Sequence, residues 1–208
     1  MKSSEVYRLK ADFLNRHGET LWACDFFSVK SVTAKGIHDL YVLVFLCLKT
    51  RKVIVTESTR HPDSAWVCKQ TEWFFEQTKD REKQPEMILH DRNVKFTKEF
   101  TKTVKNSGMK TNPLPKGSPN LNGRCERFIG TIRWECLDKF IIFGKRHLDY
   151  LISEFVTFYN HHHRAHMERD NLPPIREVPT EVGTLSLDQV EGKSFVGGLV
   201  KSFERKVA

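Results

Sequence analysis

The order of apolar and polar positions in the first quarter of the chain predicts a sheet that forms before any helix. Residues 21–27 are almost wholly apolar, as is typical of a central strand buried on both faces. Residues 39–48 and 52–58 are two further β-rich segments, separated by a connection short enough for a hairpin. We therefore expect three sequential antiparallel strands.

Beyond residue 60 there are segments in which apolar residues recur at helical spacing. Short, continuous apolar segments that are typical of strands lie between these predicted helices. This order predicts an α/β three-layer fold, in which a central mixed five-stranded sheet is flanked by helices. The predicted elements are a helix at 63–77, a strand at 86–89, a helix at 97–106, a strand at 109–113, a Pro/Gly-rich loop at 113–122, helices at about 122–140 and 147–162, and an edge strand or loose tail at 194–203.

Charge favours a polyanionic partner. The chain of 208 residues has a formal net charge of +8, and residues 92–116 contain seven Lys or Arg against the single acid Glu99. Lysine and arginine neutralise phosphates and release counterions, so DNA fits this distribution.

Other composition features exclude some protein classes. The five cysteines are odd in number and show no C-x-x-C spacing, which disfavours a disulfide framework or a cysteine-rich zinc site. No apolar segment is long enough to cross a bilayer, and the N-terminus lacks a signal-peptide core. We therefore expect a cytoplasmic protein with no membrane partner.

Three acidic residues stand in unusual contexts. Asp25 lies inside the first apolar strand, Asp91 directly follows another, and Glu126 lies in the first turns of a helix after the Pro/Gly-rich loop. A buried carboxylate costs several kcal/mol unless it is paired or binds a metal. Taken singly, such residues are more often structural or solvent-exposed. Together they could bind two Mg²⁺ ions, the arrangement that phosphodiester transfer requires.

The sequence around these acids resembles a known family. The motifs, in order, are Trp22-Ala-Cys-Asp25-Phe-Phe, His90-Asp91-Arg-Asn-Val-Lys-Phe96-Thr97, Asn122-Gly123-Arg-Cys-Glu126-Arg127-Phe128, Arg133-Trp-Glu-Cys-Leu137-Asp138 and Phe158-Tyr159-Asn160. Together they resemble the retroviral-integrase-type (DDE) catalytic core of bacterial insertion-sequence transposases, over roughly residues 18–175. The resemblance implies a ribonuclease H-like fold, with an N-terminal extension at 1–18, an integrase catalytic core at 19–175 and a C-terminal extension at 176–208.

The resemblance also implies an activity. Relatives cleave DNA at a transposon end to free a 3′-hydroxyl and then transfer that end to target DNA, using two Mg²⁺ or Mn²⁺ ions. By position, Asp25 and Asp91 would bind metal and Glu126 would complete the second site. The DNA-binding candidates are Arg92, Lys95, Lys116, Asn122 and Arg133. Transposon ends and target DNA are the expected partners, and we expect a homo-oligomer on DNA that is associated with the nucleoid.

The sequence departs from the family in three places. Asn93 stands where many relatives have Asp or Gly, and Ala165 replaces an expected proline. The cluster of His161, His162, His163 and His166 is better explained as a polar helix terminus than as a zinc site. About 20 residues precede the first strand, too few for the family's helix-turn-helix region, so a separate helix-turn-helix polypeptide or reading frame is expected to read the element ends.

Two other functions fit the same residues. One is a nuclease on the ribonuclease H-like fold, which would not transfer a pre-cleaved 3′-end. The other is a non-catalytic or decayed DNA-binding remnant of a transposase.

Overall fold

The computed structural model describes residues 17–114, 119–162, 173–175 and 186–206, and for residues 119–122 it describes the backbone only. Residues 1–16 of the predicted N-terminal extension (1–18), Ala165 and the histidines at 163 and 166 lie outside these residues. No helix in the described part of the chain is both long and apolar enough to cross a bilayer.

One mixed sheet forms the centre of the fold. It has the order β3-β2-β1-β4-β5, in which β1–β2 and β2–β3 are antiparallel while β1–β4 and β4–β5 are parallel. The predicted five-stranded sheet is therefore confirmed, and a sixth strand of two residues pairs in parallel with the far end of β1. The strands are β1 (Leu21–Thr33), β2 (Gly36–Cys47), β3 (Val53–Val55), β4 (Met87–His90), β5 (Lys110–Pro113) and β6 (Ile142–Phe143).

Four helices in the described part of the chain flank this sheet. Side chains cap the first two: Asp63 accepts from the Trp66 N–H at 2.8 Å, and Thr97 accepts from the Phe100 N–H at 3.5 Å. The predicted end of the third helix at 140 is wrong, because the helix stops at Glu135 and the chain tightens into a 3₁₀ turn at Leu137–Lys139. The helices are α1 (Ser64–Glu76), α2 (Lys98–Asn106), α3 (Pro119–Glu135) and α4 (Gly144–His161).

Apolar side chains cover both faces of the sheet, which explains why residues 21–27 of β1 are almost wholly apolar. Trp22 and Cys24 face one core, where the rings of Trp22 and Phe45 pack on Phe74 of α1. Ala23 and Phe27 face the other core, which α3 and α4 complete. Successive residues of a strand point to opposite faces, so one strand serves both cores.

The last described segment is a hairpin, not the single edge strand or loose tail predicted at 194–203. It consists of β7 (Val190–Phe195) and β8 (Val200–Arg205), which pair in antiparallel register. The turn falls inside the predicted strand, where Gly197 and Gly198 have φ of 62° and 93°. Val196 also has a positive φ of 53°, which a β-branched residue rarely adopts, and its side chain is buried against the core of α4.

An ion-pair cluster joins the start of β1 to two later loops. The two carboxylate oxygens of Glu19 accept from Lys49 at 2.9 Å and from Lys83 at 2.7 Å. These hydrogen bonds, that from Lys83 first, lower the pKa of Glu19 from 4.5 to about 2.

Glu19→Gln should therefore reduce stability in a pH-dependent way. Because the folded-state pKa is depressed, the stabilisation is complete above pH 4.5 and declines as the pH falls towards 2. Solvent around the lysines limits the loss to about 1 kcal/mol at neutral pH. Urea unfolding at several pH values measures it, with Glu72→Gln on the exposed face of α1 as control. A difference that persists undiminished at pH 2 would contradict this origin.

Candidate active site

Strand pairing brings two of the predicted acids together. Cys24 of β1 is the register partner of His90 of β4 in a parallel pair. Asp25 follows Cys24 within β1, and Asp91 follows His90 directly after the end of β4. Neighbouring strands lie about 4.8 Å apart. Asp25 is half-buried between Ala23 and Phe27, on the face of β1 that α3 covers. The two carboxylates therefore start from adjacent backbone positions.

Local hydrogen bonds orient both acids. The Phe26 N–H donates to Asp25 Oδ1 at 2.7 Å. Asp91 Oδ1 accepts from the Asn93 N–H at 3.0 Å, and Asn93 Oδ1 accepts in turn from the Lys95 N–H at 3.1 Å. Asn93, one of the departures from the family pattern, thus shapes the turn after β4. Its side-chain oxygen provides the acceptor that an aspartate would also provide.

The third acid lies on the helix that covers the same face. Cys125 is fully buried in the core shared with Ala23 and Phe27, so α3 packs directly on this part of β1. Glu126, the next residue, is exposed at the flank of the helix. Glu126 thus follows directly on a residue that is buried against the face of β1 to which Asp25 belongs.

The charges of these acids affect the pKa of two buried thiols. Burial raises the pKa of the Cys125 thiol well above its usual range, and the charges of Asp25 and Glu126 raise it further. Burial likewise raises the pKa of the Cys24 thiol, with smaller contributions from Cys125, Asp25 and Asp91. The charge of Asp25 contributes to the raised pKa of both thiols.

The side chains themselves are not drawn into one cluster. Within the described ranges, no three His, Cys, Asp or Glu side chains are close enough together to hold a metal ion. Carboxylates repel one another, and an exposed glutamate on a helix turns away at little cost. The convergence of Glu126 with Asp25 and Asp91 stays a prediction.

The carboxylates are nevertheless suited to a hard divalent cation. All three offer oxygen ligands, and Asp91 borders an open cleft of about 290 Å³. Mg²⁺ keeps several of its waters, so a few carboxylates at a solvated cleft are enough to bind it. The cleft is lined by His90, Asp91, Arg92, Asn93, Phe96, Thr101, Thr111 and Pro113.

Two of the predicted DNA-binding side chains lie near Asp91. Arg92 is exposed, and its Nε donates to the Leu114 carbonyl at 3.3 Å. The Lys95 ammonium lies 5.5 Å from the ring centre of Phe26 and 5.3 Å from that of Tyr41. Arg92 therefore places positive charge at the cleft, whereas Lys95 lies over two rings and is not among the residues that line it.

The other three candidates differ in position. Arg133 donates to the Ser28 carbonyl of β1 at 2.6 Å and lies over the Phe27 ring, so its guanidinium helps to hold α3 on the sheet. Lys116 lies outside the described residues. Asn122 falls in the first turn of α3, where only the backbone is described.

His90 is a positioning residue that the sequence analysis did not identify. Its Nδ1 lies 2.5 Å from the Asp91 carbonyl oxygen, and because a carbonyl can only accept, Nδ1 carries the proton. The ring packs against Phe96 and Phe100, and burial lowers the pKa of His90, which favours the neutral form. The available signal was a histidine at the end of an apolar strand, directly before the acid.

Comparison with known families and structures gives consistent matches. A family model described as "Integrase core domain" matches residues 16–119, and a second model with the same description matches residues 107–174. No curated protein matches the chain in sequence.

Several solved structures share the fold at low sequence identity. The integrase catalytic core domain of HTLV-2 in complex with magnesium, in a dimeric form, matches with a TM-score of 0.53 and 17% identity over 69% of this chain and 87% of that one. The trimeric form matches with a TM-score of 0.55 and 17% identity over 75% and 93%. A simian T-cell lymphotropic virus intasome in complex with the PP2A regulatory subunit B56 gamma gives 0.58 and 14% over 89% and 66%. The ribonuclease H-like fold is thereby confirmed.

Proposed function

Because the chain belongs to the integrase core domain family, a class of polynucleotidyl transferases, we propose that it cleaves DNA ends and transfers them to target DNA in transposition. The observation that carries the proposal is the parallel pairing of β1 with β4, which sets Asp25 beside Asp91 under the helix that bears Glu126. This arrangement supports the catalytic core of a bacterial insertion-sequence transposase.

In the proposed site, Asp25, Asp91 and Glu126 hold two Mg²⁺ or Mn²⁺ ions. When bound, such ions neutralise charge on the phosphate and on the attacking and leaving oxygens. Asp25 and Asp91 hold their carboxylates in fixed orientations through the N–H groups of Phe26 and Asn93. Glu126 completes the site by turning from solvent towards the two aspartates.

The chain's remaining residues position the DNA. Arg92 lines the cleft beside Asp91, and Lys95 lies in the turn that follows β4. Both are suited to phosphate oxygens, which fix the register of a bound strand without reading its bases. Lys116, Asn122 and Arg133 are proposed to extend this contact along the loop and helix that lead to Glu126. The HTLV-2 cores are described as dimeric and trimeric, which supports a homo-oligomer on DNA.

A strand-transfer assay tests the proposed function. The purified chain is incubated with Mg²⁺, a plasmid target and duplexes whose 3′-hydroxyl ends are pre-cleaved. We expect end-joined products that require a free 3′-hydroxyl. Cleavage of DNA without joining would point to a nuclease on this fold. Binding without either reaction would point to a non-catalytic remnant.

Metal binding should also be visible in the absence of DNA. Adding millimolar Mg²⁺ or Mn²⁺ is expected to raise the melting temperature, because an ion that binds only the folded state stabilises it by mass action. At a concentration of about 100 times Kd the gain is about 2.7 kcal/mol. Differential scanning calorimetry measures the shift, and Asp91→Asn should remove most of it. An equal shift in wild type and Asp91→Asn would place the ion elsewhere.

A further inference from the structure

The two faces of the β7–β8 hairpin differ in chemistry. The inner face packs on the second half of α4, where the Phe195 ring lies 5.7 Å from that of Phe158. Val200 packs against the same core, and Ser202 is buried. Glu204 also points inwards, because its carboxylate lies 2.7 Å from His162 Nδ1. Alternate residues of β8 are thereby fixed to α4.

The residues between them point outwards. Lys201, Phe203 and Arg205 occupy the other positions of β8 and are all exposed. Phe203 is 60% exposed. Its ring lies over Gly192 of β7, 3.5 Å from where a Cβ of that residue would stand. The residue directly across from Phe203 therefore has no side chain of its own beside the ring.

Both carboxylates of the two hairpin strands lie on the inner face, together with Lys193, which pairs with Glu204. Glu191 and Glu204 are register partners and so share the inner face. Lys201 and Arg205 flank Phe203 on the outer face, and neither forms an ion pair within the described residues. The outer face therefore carries cations and an aromatic ring but no carboxylate, which is the chemistry of a surface that binds a polyanion with unpaired bases.

We propose that this outer face binds a single DNA strand, with Phe203 stacking on an unpaired base and Lys201 and Arg205 contacting phosphates on either side. The four residue steps between the two cations span about 13 Å of strand, which leaves room for the ring and a base between two backbone contacts. The inference rests on the proposed function, since DNA cleavage and transfer create unpaired strands, and it adds a second contact region outside the carboxylate site.

Fluorescence anisotropy of the full chain without divalent metal tests this binding. The probes are a labelled single strand of mixed sequence, of about 20 nucleotides, and the matching duplex. Phe203→Leu keeps apolar bulk over Gly192 but loses stacking, and it should weaken single-strand binding by about fivefold or more. Phe203→Trp keeps a stacking ring and should bind at least as tightly as wild type. The duplex affinity should change by less than about twofold in both variants.

The cations are tested with the double variant Lys201→Gln/Arg205→Gln. In a plot of the logarithm of the single-strand binding constant against the logarithm of salt concentration, the slope for this variant should be shallower by about 1.4. This is the change expected for two lost phosphate contacts. The control Lys35→Gln/Lys69→Gln removes the same net charge from exposed positions elsewhere and should change the slope by less than half as much. Melting temperatures confirm that each variant folds.

Two outcomes would overturn the inference: a Phe203→Leu variant that binds the single strand as wild type does, or equal losses in the double variant and its control. The proposed function is judged separately. Strand transfer with unaltered binding by the Phe203 variants leaves that function standing and refutes the hairpin contact. If binding depends on Phe203 but the chain transfers no strands, the hairpin contact stands and the proposed function is refuted.

Discussion

Asp25→Asn and Asp91→Asn are each expected to lower the rate of strand transfer by at least about a thousandfold. The amide oxygen of asparagine is neutral and binds a divalent cation more weakly than a carboxylate oxygen does. The substitution also removes a negative charge that stabilises both ions. A loss of several kcal/mol in transition-state stabilisation corresponds to three or more powers of ten in rate. Single-turnover assays with pre-cleaved ends measure this step apart from product release.

The matched controls separate chemistry from binding and folding. Asp80→Asn alters an exposed aspartate in the turn after α1 and should leave the rate within about twofold of wild type. DNA affinity of Asp25→Asn and Asp91→Asn should not fall, since each substitution removes a negative charge beside the DNA. Neither variant should melt below wild type without metal, because the substitution removes repulsion between neighbouring carboxylates. Full activity in Asp25→Asn would refute the assignment of the site.

Glu126→Gln should reduce the rate by a similar factor, with Glu72→Gln as its control. This prediction tests Glu126 separately, because its side chain is exposed and does not form a cluster with the two aspartates in the described part of the chain. A rate close to that of wild type would mean that another group completes the second metal site. The Asp25 and Asp91 assignments would then stand alone.

Asn160→Ala is expected to reduce the free energy of unfolding by about 2–4 kcal/mol, the largest stability effect we predict. Asn160 lies at the end of α4 and is only 6% exposed. Its Oδ1 accepts from the Val53 N–H at 2.9 Å, and its Nδ2 donates to the Val53 carbonyl at 2.9 Å. The amide thus replaces the missing neighbour of the edge strand β3. Alanine would leave two backbone groups without partners in a place that water does not reach.

Urea unfolding measures this loss, and Asn106→Ala at the exposed end of α2 is its control. Asn160→Asp adds a sharper test. The carboxylate keeps the acceptor for the Val53 N–H but loses the donor, and it places a charge against the Val53 carbonyl. The variant should therefore be destabilised above the carboxyl's pKa and partly recover at lower pH. An Asn160→Ala protein as stable as the control would show that the paired hydrogen bonds contribute little.

The elements that sequence patterns predicted best are those with local causes. The strand segment at 21–27, the helices that begin after Asp63 and Thr97, and the two short parallel strands all follow from apolar periodicity and capping residues. The prediction ended β1 at 27, although the strand continues to Thr33. Beyond residue 27 four of the six residues are polar, because one face of this half of β1 is exposed at Lys30 and Val32. The apolar segment alone does not indicate this continuation.

The long-range contacts had no sequence signal. Asn160 and Val53 are separated by 107 residues, and Arg133 and Ser28 by 105. The motif Phe158-Tyr159-Asn160 marked the position without indicating that its amide pairs with a strand edge. Likewise Arg133 was predicted to bind DNA, and the sequence did not indicate that its guanidinium donates to a β1 carbonyl. Motifs identify candidate residues, whereas the partners of those residues depend on how the elements pack.

The register between β1 and β4 has a consequence for how the protein folds. Cys24 and His90 are 66 positions apart, so the two aspartates become neighbours only after a long loop closes. The β1–β2 hairpin, whose tip joins Thr33 to Gly36, needs almost no loop closure and can form early. Non-local parallel pairing is slow in comparison. In a folding chain, Asp25 and Asp91 should therefore become neighbours late. The β1–β2 hairpin should be protected from hydrogen exchange before then.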